Sequence, residues 1–528
     1  FLVFIVGIFV RLFVALALPD FAMTDTVYYL SLARVVTQTG VLSLENLWLA
    51  FFNTFLATAS ILSGLEISPA TTNVFAFFVS IVQLLMAFVL LRKISPTRWV
   101  YGMAIFTVLP LLTKFAGINY IETIASIFVM FSLYLYIQFR ETAKTKFLIL
   151  ALFSLVAMSL SKLNGAILLP AFLIGFVVAS KRTKFNKKTI AVFAIATILL
   201  SSSWVFLDFT RTGQMFPSNS TDTGRLPSYP GIVANSVLNP GNFVNFWTRF
   251  NLAFWNIPPA DAISKAIGMI PLPFLTSIPV ELLLSIFFWL GFAMLLFLAG
   301  SIFYLAKERW HYARIVLLIL LFGFLVVMLR IHRGLAYARL FLPVMPLLAI
   351  SFTHGFNALS GKWENVKKVV AALVVILAVY SFLSVSFFAL YYNNSFNKNL
   401  TLYEEIGTLP IGGKILLSGN QARILNWYSE IESLGPEGAF GIHHEGEVWK
   451  KFYEENGRIP TGDDIEKITK TIPKEKLYAK MKELSVTHFA LTCNLDDPWN
   501  RETVGMMEQE GKLSKIFEHE CTALFEVN

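Results

Sequence analysis

"LWLAFFNTFLATASIL", Leu47–Leu62, is apolar enough to cross a bilayer, and whether it does so sets the parity of everything after it. A bilayer core about 30 Å thick takes roughly 20 apolar residues as a helix. Runs of that kind lie on both sides of this stretch, at roughly 2–19, 71–91, 99–117, 122–139, 147–161, 165–180, 189–207, 279–305, 315–330, 336–357 and 369–391. Basic residues gather at alternate junctions between them. These are Arg92/Lys93/Arg98, Arg140/Lys144/Lys146, Lys181/Arg182/Lys184/Lys187/Lys188, Lys307/Arg309/Arg314 and Lys362/Lys367/Lys368. The positive-inside rule makes such junctions cytoplasmic. Were Leu47–Leu62 to span, every later cluster would lie on the wrong side. It reads instead as a helix on the outer face. About 11 spans remain, with the N-terminus inside and the C-terminus outside.

Composition agrees. Of 528 residues, 56% are hydrophobic and 15% charged, where a soluble domain carries about 25% charge. The net charge of +9 is spent on those short junctions, so it reports topology and not a nucleic-acid partner. Phe1–Leu18, with Arg11 as its one charge, reads as a retained first helix, because no small-residue cleavage site follows it. The Asn-x-Ser/Thr triplets at Asn219, Asn393 and Asn399 all fall in segments read as outer, which supports the orientation slightly.

Near Asn393 the chain turns polar. "KILLSG" (414–419) and "THFALTC" (487–493) read as buried strands, "KEKLYAKMKELS" (474–485) as an amphipathic helix, and "KIFEHECTALFEV" (515–527) as a closing strand or hairpin. The expected organisation is an α-helical polytopic membrane domain, 1–391, and an extracytoplasmic α/β domain, 392–528. Cys493 and Cys521 both fall in the latter. Two buried free thiols are the favoured reading, with a disulfide as the alternative outside the cytoplasm. No histidine stands at zinc-ligand spacing to them.

Ionisable residues at membrane depth are costly and default to functional candidates. Those at the ends read as outer are Asp20 and Asp25, followed by Tyr28 and Tyr29, then Glu122, Lys162, Asp208, Arg211, Arg330, His332, Arg333 and Arg339. Each has a plainer role beside the chemical one. Asp25 suits the cap of a short helix over Val27–Val36. Lys162 suits a snorkelling helix end, and Glu122 the positive end of a helix dipole. The tyrosines and Arg330/Arg333 suit interfacial anchors. Arg339 lies about 7 Å into an apolar run, counting about 1.5 Å per residue from Gly334, and so needs a buried anion. His332 and the pair His443–His444 read as surface residues. The cations together suit a lipid-borne phosphate, to which lysine is a point charge and arginine a two-pronged partner. The carboxylates suit a nucleophile to be deprotonated or a metal to be held.

Four stretches together resemble the GT-C membrane glycosyltransferases, in the branch of the dolichyl-phosphate-mannose protein mannosyltransferases and the aminoarabinose transferases of lipid A. They are "TDTVYYLSLA", "NYIETIAS", "LSKLNGAILLPAFL" and "YARLFLPVMPLLAI", spread over residues 1–391. By that resemblance Asp25 is the catalytic loop acid and Glu122 the second acid of the active site. Lys162 contacts the lipid phosphate, and Arg339 is a looser match to the arginine of the late span. Arg333 is grouped with them as a phosphate ligand, and Asp20, Tyr28, Tyr29, Arg211 and His332 are secondary candidates. The chain departs from the family at Thr26, where an Asp-Glu pair is usual, and in residues 40–47, which hold no His-Pro-Pro turn. It also lacks the Trp-Trp-Asp triplet of the oligosaccharyltransferase branch.

The resemblance implies a polyprenyl-phosphate sugar as donor and inverting transfer to a hydroxyl of a protein, lipid or glycan at the outer face. Asp25 would be the base and Glu122 would orient the acceptor or hold a divalent ion. The rival expectations are a transporter or flippase of lipid-linked sugars, with charges near the midplane on broken helices, and a non-catalytic membrane scaffold.

Overall fold

The computed structural model describes residues 2–17, 24–40, 50–67, 69–117, 121–161, 163–203, 280–328, 338–360, 365–417, 422, 424–425, 431–435, 455, 474–492 and 501–528. Its helical body opens with α1 (Leu2–Ala17), α2 (Thr24–Thr39), α3 (Ala50–Ser63) and α4 (Pro69–Ile94). Next come α5 (Trp99–Val108), α6 (Pro110–Lys114), a 3-10 turn at Phe115–Gly117, α7 (Ile121–Thr142), α8 (Thr145–Ser161), α9 (Leu163–Arg182) and α10 (Lys187–Ser201). The rest of the body is α11 (Val280–Met328), a 3-10 stretch at Ala338–Val344, α12 (Met345–Ser360) and α13 (Val366–Thr408).

Among the described residues, Asn73–Ile94, Ile121–Thr142 and Gly165–Arg182 are long and apolar enough to cross a membrane. Shorter apolar helices match other expected spans, among them Val3–Ala17, Thr145–Ser161 and Val374–Ser386. Phe9, Phe78, Phe153, Val192 and Phe303 are mostly exposed on these helices. Such a surface belongs in lipid, where helices satisfy their own backbone groups. The helix α3 has 14 residues, about 21 Å at 1.5 Å per residue.

Two expected spans take another form. The run 99–117 breaks at Leu109, whose ψ of 121° is extended, because Pro110 has no N–H and forces the preceding residue out of the helical region. The runs 279–305 and 315–330 lie on one helix, α11, of 49 residues. The intervening "LAKERW" is rich in strong helix formers and does not end it. A Cβ on Gly355 would meet Ser301, and one on Gly323 would meet Val344. Straight, α11 would separate Ser301 and Gly323 by about 33 Å, but their partners lie eleven residues apart, about 17 Å on a helix. The helix is therefore bent between them.

The ends of the helices sort into two groups. At one, Lys93 at the end of α4 pairs with Glu141 at the end of α7 at 2.6 Å, and Glu141 accepts from the Tyr312 hydroxyl at 3.0 Å. Arg140 stacks on the Tyr312 ring. Three basic junctions that the sequence assigns to one side thus meet. At the other end α2, α3 and the starts of α4 and α7 share a core with the C-terminal sheet.

That sheet holds β1 (Lys414–Leu417), β2 (Ser433–Leu434), β3 (Val486–Leu491), β4 (Leu513–His519) and β5 (Thr522–Val527), in the order β2-β1-β3-β5-β4. The pairs of β1 with β2 and β3 are parallel, and those of β5 with β3 and β4 antiparallel. The helices α14 (Lys474–Glu483) and α15 (Arg501–Gln509) cover it through Leu477, Met481, Val504 and Met507. The expected strands and helix are all present, and the closing segment is a hairpin. The helix α13 runs unbroken past residue 391, and its Leu402, Tyr403 and Ile406 pack with sheet residues. One expectation is corrected: Cys521 is disulfide-bonded, not a free thiol, and the sequence holds one other cysteine, Cys493. Asn399 is buried, so its triplet offers no accessible acceptor in the folded chain.

Candidate functional site

Of the residues singled out by sequence, Asp25 is the second residue of α2, and Tyr28 and Tyr29 follow in its next turn. The helix starts at Thr24, earlier than expected, so Asp25 lies inside the first turn and not at the cap. Negative charge is favourable there. Glu122 stands in the first turn of α7 and is fully buried. Arg339 lies in the 3-10 stretch Ala338–Val344. Asp20, Lys162, Asp208, Arg211, Arg330, His332, Arg333 and the pair His443–His444 lie outside the described residues.

The elements carrying these residues meet around α7. Leu30 and Ala33, on the buried face of α2, share one core with Ile121 and Ile124, which bracket Glu122. Leu56 of α3 and Ile67 before α4 belong to the same core. The helix α8 packs along α7 and ends at Ser161, α9 begins at Leu163, and Ala338–Val344 packs against α7. A Cβ on Gly165 would overlap the Met158 carbonyl oxygen, so the α8–α9 hairpin is closed as tightly as glycine allows.

The first turn of α7 is held by hydrogen bonds. Gln83 of α4 donates to the Ser126 hydroxyl at 2.6 Å, and Ser126 donates to the Thr123 carbonyl at 2.6 Å. Among the described residues, no group of three or more His, Cys, Asp or Glu stands ready for a metal ion.

Two concavities adjoin this region. One, of about 560 Å³, lies between α2 and the α3–α4 connection and is lined by Arg34, Thr37, Gln38, Ser60 and Glu66 among others. Arg34 donates to the Ile67 carbonyl at 3.0 Å. Burial lowers its pKa and Glu66 opposes that shift. The other, of about 340 Å³, is an apolar groove between α7 and α8, lined by Phe128, Phe131, Leu150, Phe153, Ala157 and Leu160 among others. The sequence reading missed both. Arg34 and Glu66 look like ordinary surface charges until the chain brings them together, and a groove between helices has no sequence signature. It also passed over Arg11 as a candidate, although a lone charge in an apolar run is a signal in itself.

The helical body, with helices long and apolar enough to cross a membrane, and the sheet docked at one end of it are shared in fold with solved structures. Among these the chain is similar to ArnT from Cupriavidus metallidurans in the apo state, at 10% identity and a TM-score of 0.56, covering 99% of this chain and 97% of that one. The same protein bound to undecaprenyl phosphate gives 10% identity, a TM-score of 0.57 and the same 99% and 97% coverage. The arabinofuranosyltransferase AftD from Mycobacteria matches at 12% identity and a TM-score of 0.46, over 99% of this chain and 40% of that one. No protein-family model and no curated protein sequence matches the chain. At these identities the likeness is one of fold.

Proposed function

We propose that this protein is an inverting glycosyltransferase that moves a sugar from a polyprenyl-phosphate donor to an acceptor hydroxyl of a protein, lipid or glycan at the extracytoplasmic membrane face. The observation that carries the reading is the shared core of Leu30 and Ala33 with Ile121 and Ile124, which joins the helix of Asp25 to the turn of Glu122. Undecaprenyl phosphate bound to ArnT supports the donor class. The groove along α7 and α8 suits an isoprenoid chain in shape and polarity. The disulfide at Cys521 supports an oxidising, extracytoplasmic side for the sheet.

In the proposed reaction Asp25 takes the proton of the acceptor hydroxyl while that oxygen attacks the anomeric carbon from the face opposite the phosphate. The anomeric C–O bond breaks and the polyprenyl phosphate leaves with both electrons. Lys162, Arg339 and Arg333 neutralise the charge that develops on it. One well-placed donor of this kind is worth about 3–4 kcal/mol. Glu122 orients the acceptor or holds a divalent ion.

A flippase of lipid-linked sugars is the second reading. The broken helix at Leu109–Pro110 and buried Arg11 favour it, since transporters use discontinuous helices near the midplane. The separating experiment incubates the purified full chain in nanodiscs with undecaprenyl-phosphate hexoses and pentoses and a hydroxyl-bearing acceptor. Release of undecaprenyl phosphate supports transfer. Translocation in vesicles without any release supports the flippase.

A further inference from the structure

Arg11 lies on α1 and is fully buried, and Val14, Leu84 and Phe106 of neighbouring turns and helices are buried in the same apolar core. Its Nη1 donates to the Gly7 carbonyl at 3.2 Å. Its guanidinium carbon stands 5.5 Å from the centre of the Phe106 ring. Among the described residues, neither its Nε nor its Nη2 has a hydrogen-bond partner, and no charged side chain acts on it. A cation shut away in a membrane-spanning helix with one carbonyl acceptor and no counter-charge is a costly arrangement.

Thr107, on the facing helix α5, is in the same condition. It is buried, and among the described residues its Oγ1 has no partner. Both side chains adjoin Gly7: its carbonyl accepts from Arg11, and a Cβ on it would stand 3.2 Å from Thr107 Oγ1. Three carbonyls around the break at Leu109–Pro110 are already used. Val108 accepts from the Ser381 hydroxyl at 2.7 Å. Thr107 and Leu109 accept from the Thr113 hydroxyl at 3.4 and 3.0 Å.

What remains is two guanidinium donor positions and a hydroxyl that can donate, with a full positive charge and apolar walls. A water there would meet the hydrogen bonds but not the charge. A phosphate would bring more oxygens and more charge than these donors satisfy. The geometry points to a small monovalent anion of the halide class, bound by Arg11 Nε and Nη2 and by Thr107 Oγ1. Such an ion ties α1 to the broken helix α5–α6, and α1 is the helix that leads directly to α2 and Asp25. The site is independent of the transfer reaction.

The test uses the full chain in nanodiscs, melted in sodium chloride and in sodium gluconate at equal ionic strength. Chloride raises the melting midpoint of the wild type. R11M removes that dependence, and T107V weakens the apparent chloride affinity by about 10-fold or more, as the loss of a hydrogen bond to a charged group implies. If R11M fails to insert, T107V alone decides. In crystals grown with bromide, an anomalous peak stands within hydrogen-bond distance of Arg11 Nη2. Equal wild-type midpoints in the two salts, an unchanged affinity in T107V, or density there without anomalous signal would overturn the assignment.

Discussion

Gln83 of α4 donates to the hydroxyl of Ser126 on α7 across 2.6 Å in the buried interior. Ser126 stands one turn along α7 from Glu122, so this bond sets where the buried carboxylate sits relative to α4 and, through their common core, to α2. Interhelical hydrogen bonds in membranes average about 0.6 kcal/mol. Gln83→Leu is therefore expected to cost little stability while lowering turnover, because it releases the rotation of the first turn of α7. Thermal melts and single-turnover rates on one preparation check this. An unchanged rate would remove Gln83 as a positioning residue.

Gly165→Ala is expected to do more harm than its size suggests. The added methyl overlaps a backbone oxygen, that of Met158, which cannot rotate away as a side-chain tip can. Overpacking of this kind costs about 1–3 kcal/mol. With the donor-binding role proposed for Lys162, the residue between α8 and α9 in the sequence, the Michaelis constant for the donor is expected to rise. A donor titration of the inserted variant measures it.

Reduction, or Cys521→Ser, should loosen the C-terminal sheet without affecting the helical body. A bond from Cys521 to the other cysteine closes a loop of 28 residues, 521 − 493. Closing a loop of that length is worth about 2–4 kcal/mol. Hydrogen exchange of β4 and β5 in the full chain speeds up on reduction, and that of α7 and α8 does not.

Acid should weaken the same sheet in two stages. Burial pushes the His488 imidazole below its ordinary 6.5, with Glu526 opposing. The folded state then binds fewer protons than the unfolded one, so this stabilisation is present above pH 6.5 and drains as pH falls through the depressed value. Glu510, hydrogen-bonded by Lys474 and then Lys512, is held at about 2 from an ordinary 4.5. Its share is present above 4.5 and is lost as pH falls through about 2. His488→Gln flattens the first stage and Glu510→Gln the second, in melts of the full chain at stepped pH.

Hydropathy and junction charges reveal α4, α7, α8 and α9, because burial in lipid selects long apolar runs whatever their neighbours. Alternation reveals β1 and β3 for the matching reason in a sheet. The break before Pro110 escapes because hydropathy averages over a window in which one proline weighs little. The continuity of α11 escapes because charge marks a membrane boundary, while Lys307, Glu308 and Arg309 are also good helix formers. The bonding of Cys521 depends on a fold that spacing does not encode. Sequence placed Glu122 at a helix start, and the structure adds that it is buried and that its neighbours Ile121 and Ile124 belong to the same core as Leu30 and Ala33 of the helix of Asp25.

The proposal stands or falls on Asp25 and Glu122 serving one site, and the decisive variant is Asp25→Asn. The readout is release of undecaprenyl phosphate from a sugar-loaded donor by the inserted full chain, with α2 and its neighbours verified by hydrogen exchange. A fall of about 100- to 10,000-fold is expected, the range a general base supplies. Transfer at the wild-type rate by D25N would contradict the proposal.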